Sequence, residues 1–263
     1  KLTEIANNEL DKINNWFSAN LLSLNIKKTN YILFGNKKLN DIPLAINKEI
    51  ITRVYETKFL GILIQSTLKW DSHICLLKNK ISKSIGIINK AKNILGTAHL
   101  KILYHSLIEP YLNYCSIVWG NPEKTTALET LHKLQKRAIR LILYAEYRAH
   151  TKPLFSKLNI LNIYDIIRTQ ILTFVYKSYN SLLPIKYSNY FTRPNEIHHY
   201  ATRSATNFSL YRITAQKSCR INTLASRGPK YWNLLPIIVK TASPLSSFKS
   251  KLREHLISQY LTV

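Results

Sequence analysis

The chain has 263 residues, 46% of them hydrophobic, enough to build one large domain or two modest ones around a buried core. Thirty-eight Lys and Arg face 14 Asp and Glu, giving +24; residues 1–150 hold 22 basic and 11 acidic residues, residues 151–263 hold 16 and 3, so the excess is not a tail. No run of about 18 uncharged apolar residues occurs, which argues against a transmembrane helix; apolar residues spread over many core-type faces disfavour a basic membrane-surface protein, and the three well-separated cysteines, Cys75, Cys115 and Cys219, argue against a disulfide or zinc framework and for a reduced, intracellular protein of the nucleus or cytoplasm.

A folded chain this basic is expected to meet a polyanion, and its sixteen Tyr among the cations favour nucleic acid. Lys1 is not a start methionine, and Leu2, Ile5, Ala6, Leu10, Ile13, Trp16 and Phe17 follow a helical period at once. The chain is therefore expected to begin inside a structural element of something longer. This period predicts a helix over 2–19, with Asn20 as a left-handed cap. Residues 22–34 end in a predicted strand, and Gly35 to Asn40 reads as a turn. Short strands are predicted at Leu44–Ile46, Ile50–Tyr55 and Lys58–Ile64, with Asn47-Lys48 as a turn. In Lys58-Phe59-Leu60-Gly61-Ile62-Leu63-Ile64 the large apolar residues are expected in the core. Gly61 should mark a bulge or a close approach of another backbone.

After Ile64 the period lengthens. Asp71 is the expected N-cap of a helix carrying Ile74, Leu77, Ile81, Ile85, Ile88 and Leu95 and ending at Gly96. Lys80, Lys83 and Lys90 share its other face. A second helix is predicted through Leu100, Tyr104, Leu107, Tyr111 and Tyr114, kinked at Pro110 and closed by a turn at Trp119-Gly120-Asn121-Pro122. A third runs from about Thr125 to Leu143. It has Leu128, Leu131, Leu134, Ala138 and Leu141 on one face and Lys133, Lys136, Arg137 and Arg140 on another. Each basic stripe reads either as a solvated face or as a line of phosphate contacts on a duplex backbone.

Residues 145–160 read as loop, and 163–183 as a helix stopped by Pro184. Residues 185–228 are mixed, with possible strands at 207–213 and 219–224. Pro229 suits the first position of a short helical turn. A last helix after Ser243 should bury Phe248, Leu252 and Leu256 and present Lys249, Lys251 and Arg253. His198-His199, the one histidine pair, reads as surface.

No catalytic centre is visible. Asp11, Asp41, Asp71 and Asp165 stand alone, and two-metal phosphoryl transfer needs several converging carboxylates. Glycine-rich phosphate loops, Gly-x-Ser-x-Gly and His-Glu-x-x-His are absent.

Several short motifs nevertheless occur in a telling order. Trp16-Phe17-Ser18-Ala19-Asn20, Leu22-Ser23-Leu24-Asn25 with Lys28-Thr29 and Phe34, and Lys58-Phe59-Leu60-Gly61-Ile62 resemble the end of the palm of reverse transcriptases from non-LTR (LINE-type) retrotransposons. Leu103-Tyr104-His105-Ser106-Leu107, Pro110 through Cys115, Val118-Trp119-Gly120 and Leu134-Gln135-Lys136-Arg137-Ala138 resemble that family's thumb. Tyr200-Ala201-Thr202-Arg203 and Gly228-Pro229 through Trp232-Asn233-Leu235-Pro236 continue the likeness, which spans nearly the whole chain.

The predicted elements give an α+β fold, a small antiparallel sheet with one helix followed by a mainly helical bundle; the resemblance makes these the palm end (1–68) and a thumb-like bundle (69–145), with a mixed basic C-terminal extension (146–263). It implies a fragment of an RNA-directed DNA polymerase whose catalytic Asp pair, fingers and most of the palm lie upstream in the same polyprotein. Lys28 falls in the segment thought to assist pyrophosphate departure, and Lys58 and Gly61 in the primer grip. RNA template and an RNA–DNA or DNA primer duplex are the implied partners. Mg²⁺ would serve the intact polymerase, with none bound by this chain, which alone is expected to be inactive. The alternative is a non-catalytic nucleic-acid-binding protein derived from a degenerate or recruited element.

Overall fold

Ala6 and Leu10 are the inward-facing residues of α1 (Leu2–Ala19), the helix that its apolar period predicts. They pack on Leu44, Ile46 and Ile51, with Leu24, Ile26, Tyr31 and Ile42 around them. The computed structural model describes residues 2–35, 42–123, 125–187, 190–197, 207–212 and 223–261. It divides into two units, Lys1–Cys75 and Leu76–Val263. The fold class is α+β, with short strands in the first unit and a helical second unit. Asp41, most of the Gly35–Asn40 turn, His198-His199, Tyr200–Arg203, Cys219 and most of the strand expected at 219–224 lie outside the described residues.

In the first unit the strands pair by twos rather than forming one antiparallel sheet. β1 (Asn30–Tyr31) runs parallel to β4 (Thr52–Arg53). β2 (Ala45–Ile46) and β3 (Glu49–Ile50) form an antiparallel hairpin. Its turn is Asn47-Lys48, as the sequence predicts, and both residues have positive φ, 51° and 68°. Two-residue turns of that hand match the twist of paired strands. Helix and hairpin are joined by polar side chains. Asn7 Oδ1 accepts from the Ala45 amide at 3.2 Å, and Asn14 Nδ2 donates to Asn47 Oδ1 at 2.9 Å. Asn20 bonds back to the Trp16 carbonyl, and the left-handed residue that ends the helix is Leu21, φ 56°.

The run Lys58–Ile64 is not one strand. It folds back on itself as β5 (Glu56–Phe59) and β6 (Ile62–Gln65), with Leu60-Gly61 as the two-residue turn. Leu60 has φ 46° and Gly61 φ 85°. An apolar run suggests a strand, but the left-handed tolerance of Gly61 turns it into a hairpin. The turn takes two of the residues expected in the core out of it. Phe59 and Leu60 are exposed, whereas Ile62 is buried and Leu63 half-buried.

In the second unit α8 (Ile163–Tyr179) is the central helix, burying Ile163, Ile166, Ile167, Ile171, Leu172, Val175 and Tyr176. Against it pack α4 (Glu109–Asn113), α5 (Ser116–Trp119), α6 (Thr125–Ile142), the helix Leu224–Asn233 and the last helix Leu245–Ser258. The last helix buries Phe248, Leu252 and Leu256 as its period predicts. Phe248 stacks on Tyr176 with centroids 4.3 Å apart, and Tyr179 stacks on Trp232 at 5.6 Å. Ser84 of α2 (Asp71–Ala91) donates to the Leu107 carbonyl at the end of α3 (Thr97–Leu107), at 2.9 Å.

Several boundaries differ from the sequence reading. Asp71 is the first helical residue of α2, and Gly96 caps the start of α3 rather than the end of α2. The predicted 100–114 helix is two pieces, α3 and α4, and α5 follows where a turn was expected. Pro110 lies in the first turn of α4, where a missing N–H costs nothing, and Cys115 at φ 50° starts α5. The 145–160 loop contains α7 (Thr151–Leu158), whose Pro153 likewise falls in the first turn. α8 stops at Tyr179, before Pro184. Pro229 sits inside the helix Leu224–Asn233, not at its start. There Gly228 and Pro229 are buried, and tertiary packing overrides the local propensity. Residues 207–212 form no strand, and Asn233 holds them by two bonds to the Leu210 backbone.

Candidate nucleic-acid interface

The basic stripe of α6 follows from the helix's packing. Leu128, Leu131, Gln135, Ala138, Ile139 and Ile142 are buried. Leu134 and Leu141, predicted for that face, are only half-buried. The helical repeat then sends Lys133, Lys136, Arg137 and Arg140 to one outward arc about 100° wide. Lys133 pairs with Glu129 at 3.1 Å, an exposed contact, and such pairs contribute little in water. Arg140 Nε donates to the Ala149 carbonyl at 3.0 Å, which fixes its guanidinium beside the chain that follows the helix.

On α2, Lys80, Lys83 and Lys90 are all exposed, opposite buried Ile74, Leu77, Ile81, Ile85 and Ile88. Lys80 Nζ sits over the Tyr111 ring, 5.1 Å from its centroid, a cation–π contact that holds the ammonium near α4. Tyr144 ties the two stripe-bearing helices together. Its hydroxyl donates to the Lys92 and Leu95 carbonyls, at 2.7 and 2.8 Å, just past the end of α2.

The remaining candidates belong to the first unit. Lys28 is exposed at the end of a 3₁₀ turn, Ile26–Lys28, whose start Asn25 caps by accepting from the Lys28 amide at 3.2 Å. Lys58 and Gly61 are exposed on the hairpin and at its tip. The first turn of α2 holds that hairpin: the Leu63 amide donates to Nδ1 of buried His73 at 3.4 Å, and the Ser72 amide donates to Gln65 Oε1 at the same distance. Among the described residues no group of three or more His, Cys, Asp or Glu is gathered as a metal site would need. Cys75 and Cys115 are free thiols.

Two cavities flank the α6 stripe, and neither was foreseen. One, of about 330 Å³, is lined by Arg137, Arg140, Leu141, Ala145 and Tyr147. The other, of about 550 Å³, opens on the His132 and Lys136 side of the helix and reaches Lys152, Tyr164 and Arg168. Their lining comes from several helices at once, so no local pattern announces it. Gln135, also missed, did have a signal: it completes the buried series 128, 131, 138, 142. Its Nε2 donates to Tyr104 Oη at 2.7 Å and to the Leu161 carbonyl at 2.9 Å, and its Oε1 accepts from the Ile163 amide at 2.9 Å. Burial pushes the Tyr104 phenol well above its ordinary range. One buried amide thus joins α3, α6 and the start of α8.

Fold and surface together define an α+β chain whose helical unit carries a cation stripe between two cavities. No family model matches the sequence, and no solved structure matches it. Among curated proteins, the RNA-directed DNA polymerase from mobile element jockey of Drosophila funebris is 26% identical over 170 residues. Those residues are 63% of this chain and 18% of that polymerase, so the chain spans under a fifth of its relative's length. The chain is a distant relative of an RNA-directed DNA polymerase of a mobile element. No described helix is long and apolar enough to cross a membrane.

Proposed function

We propose that this chain is the duplex-holding part of an RNA-directed DNA polymerase of a non-LTR retrotransposon. The observation that carries the reading is the α6 stripe, four outward cations in two helical turns within a chain of net charge +24. Successive phosphates of a duplex strand can meet cations so spaced, and each neutralised phosphate releases condensed counterions. Lys80, Lys83 and Lys90 of α2 would add a second line of cations. The 56–65 hairpin would act on the primer strand through Lys58 and the backbone at Gly61, and Lys28 would assist pyrophosphate departure. The carboxylates that bind Mg²⁺ would come from upstream in the same polyprotein, so the chain alone would not extend a primer.

The test is binding of a short RNA–DNA duplex by the 263-residue chain across a salt series. Affinity should fall steeply as salt rises from 50 to 200 mM. Lys133→Ala with Arg137→Ala should lower the slope by about one for each phosphate left without its cation. An affinity indifferent to salt, or a slope unmoved by the double variant, would reject the reading.

A further inference from the structure

The larger cavity has a chemistry of its own. Its volume, about 550 Å³, falls within the roughly 300–1,000 Å³ of pockets that take small organic ligands. One wall is aromatic. His132 of α6 and Phe155 of α7 lie nearly parallel, with centroids 6.0 Å apart and planes 14° apart. Tyr164 of α8 stands edge-on to His132 at 5.1 Å. The His132 imidazole is a neutral ring, because burial, with help from Lys136, pushes its pKa down to about 4. Its Nδ1 is buried and has no hydrogen-bond partner.

The rim is cationic, with Lys136 from α6 and Lys152 from α7. The single carboxylate among the lining residues, Asp165, is already engaged. Arg168 holds Oδ1 at 2.9 Å, while Asn162 at 2.8 Å and the Tyr260 hydroxyl hold Oδ2. Arg168 balances that charge, so the two lysines set the sign of the cavity. An aromatic wall under a cationic rim fits a ligand with a flat ring and an anionic group. A nucleoside phosphate has both.

We propose that this cavity receives one unpaired nucleotide of a nucleic-acid strand, its phosphate between Lys136 and Lys152 and its base against the half-buried His132 and Tyr164 rings, which Phe155 backs from the core. A strand is favoured over a free nucleotide because Lys136 belongs to both surfaces. A backbone following Lys133 and Arg137 along α6 arrives at the cavity mouth. The proposal rests on the duplex-holding role proposed for α6 and adds to it a site for single-stranded character.

The test compares the whole chain with its Lys152→Ala and Tyr164→Leu variants. Three probes are used: single-stranded RNA of about ten nucleotides, a blunt RNA–DNA duplex of equal length, and free AMP as competitor. Either variant should weaken the single strand about tenfold, the usual effect of removing a stacking ring or a phosphate partner, and leave the duplex within about twofold. Lys152 is exposed, so its variant reports on binding even if Tyr164→Leu perturbs the fold. Equal weakening on both nucleic acids, or none on the single strand, overturns the proposal. AMP binding as tightly as the strand would overturn it in favour of a free-nucleotide site. Failure of duplex binding in the wild type would reject the duplex-holding role, while the single-strand comparison would still read the cavity.

Discussion

Arg227 reaches across 107 residues of sequence to donate an Nη1 hydrogen to the Gly120 carbonyl at 2.7 Å. Both residues are buried, and a buried carbonyl needs a partner. Beside this bond Lys230 pairs with Glu123 at 2.7 Å, and the Tyr231 hydroxyl donates to the same carboxylate at 3.2 Å. The Val118-Trp119-Gly120 and Gly228–Pro236 motifs thus flank one clasp, which joins the chain after α5 to the helix Leu224–Asn233.

Gly120 should tolerate no side chain. Its φ and ψ, −83° and 127°, suit any residue, so the restriction is space. A Cβ there would stand 2.5 Å from the Ser116 carbonyl oxygen and 2.7 Å from the Ile167 side chain. Gly120→Ala is expected to cost about 1–3 kcal/mol, the usual range for overpacking, read as a lower denaturant midpoint at unchanged m-value.

The clasp should weaken in acid. The Lys230 ammonium, bonded to Glu123, holds that carboxyl below its ordinary pKa. A depressed carboxylate pKa adds stability that is present above the unfolded-state value near 4.5 and is lost as pH falls through the folded value. Wild type and Glu123→Gln should therefore differ most at neutral pH and converge as the pH falls below 4.5 and through the lower folded-state value. Paired denaturation curves over that range check it.

His132 should report a different window. Its imidazole stays neutral down to about pH 4 in the fold, against 6.5 for an ordinary histidine. Between those values the unfolded chain binds a proton that the folded chain refuses, so stability falls as pH drops through that interval. In a histidine NMR titration one ring should resist protonation until about pH 4. His132→Phe should remove that resonance and flatten the stability loss in the same interval.

At the hairpin tip two substitutions should act in opposite directions. Gly61→Ala places a Cβ at φ 85°, at a cost of about 1–2 kcal/mol. Leu60→Asn should stabilise the hairpin, since Asn-Gly is the favoured pair for two left-handed positions. Amide exchange at Thr57 and Ile64, which face each other across the hairpin, would show both effects.

The elements with long single-faced periods were the legible ones. α1, α6 and the last helix follow the spacing of their apolar residues, and all seven stripe cations are exposed or half-buried. The Lys58–Ile64 run misled because composition marks a strand but does not say where it turns. Pro153 and Pro110 misled in a related way, since a proline is tolerated in a first turn and forbidden only deeper. The cavity beside α6 was beyond reach of local pattern. His132, Lys152 and Tyr164 meet only after three helices have packed. The motif residues Tyr104, Trp119, Gln135 and Trp232 prove to be buried joints of the second unit.

Tyr260 offers a last consequence. Its hydroxyl bonds Asp165 and accepts from the Asn162 amide at 3.1 Å, securing the N-terminal turn of α8 from 95 residues downstream. A premature stop ahead of Leu245 would remove that tyrosine and the stacking partner of Tyr176, yet spare the whole α6 stripe. Such a shortened product would keep its affinity-bearing charges on an unfastened scaffold. It should behave as sticky, protease-sensitive polycation rather than as a smaller working unit. Loss of residues 245–260 is therefore expected to damage this unit as severely as a break in its middle.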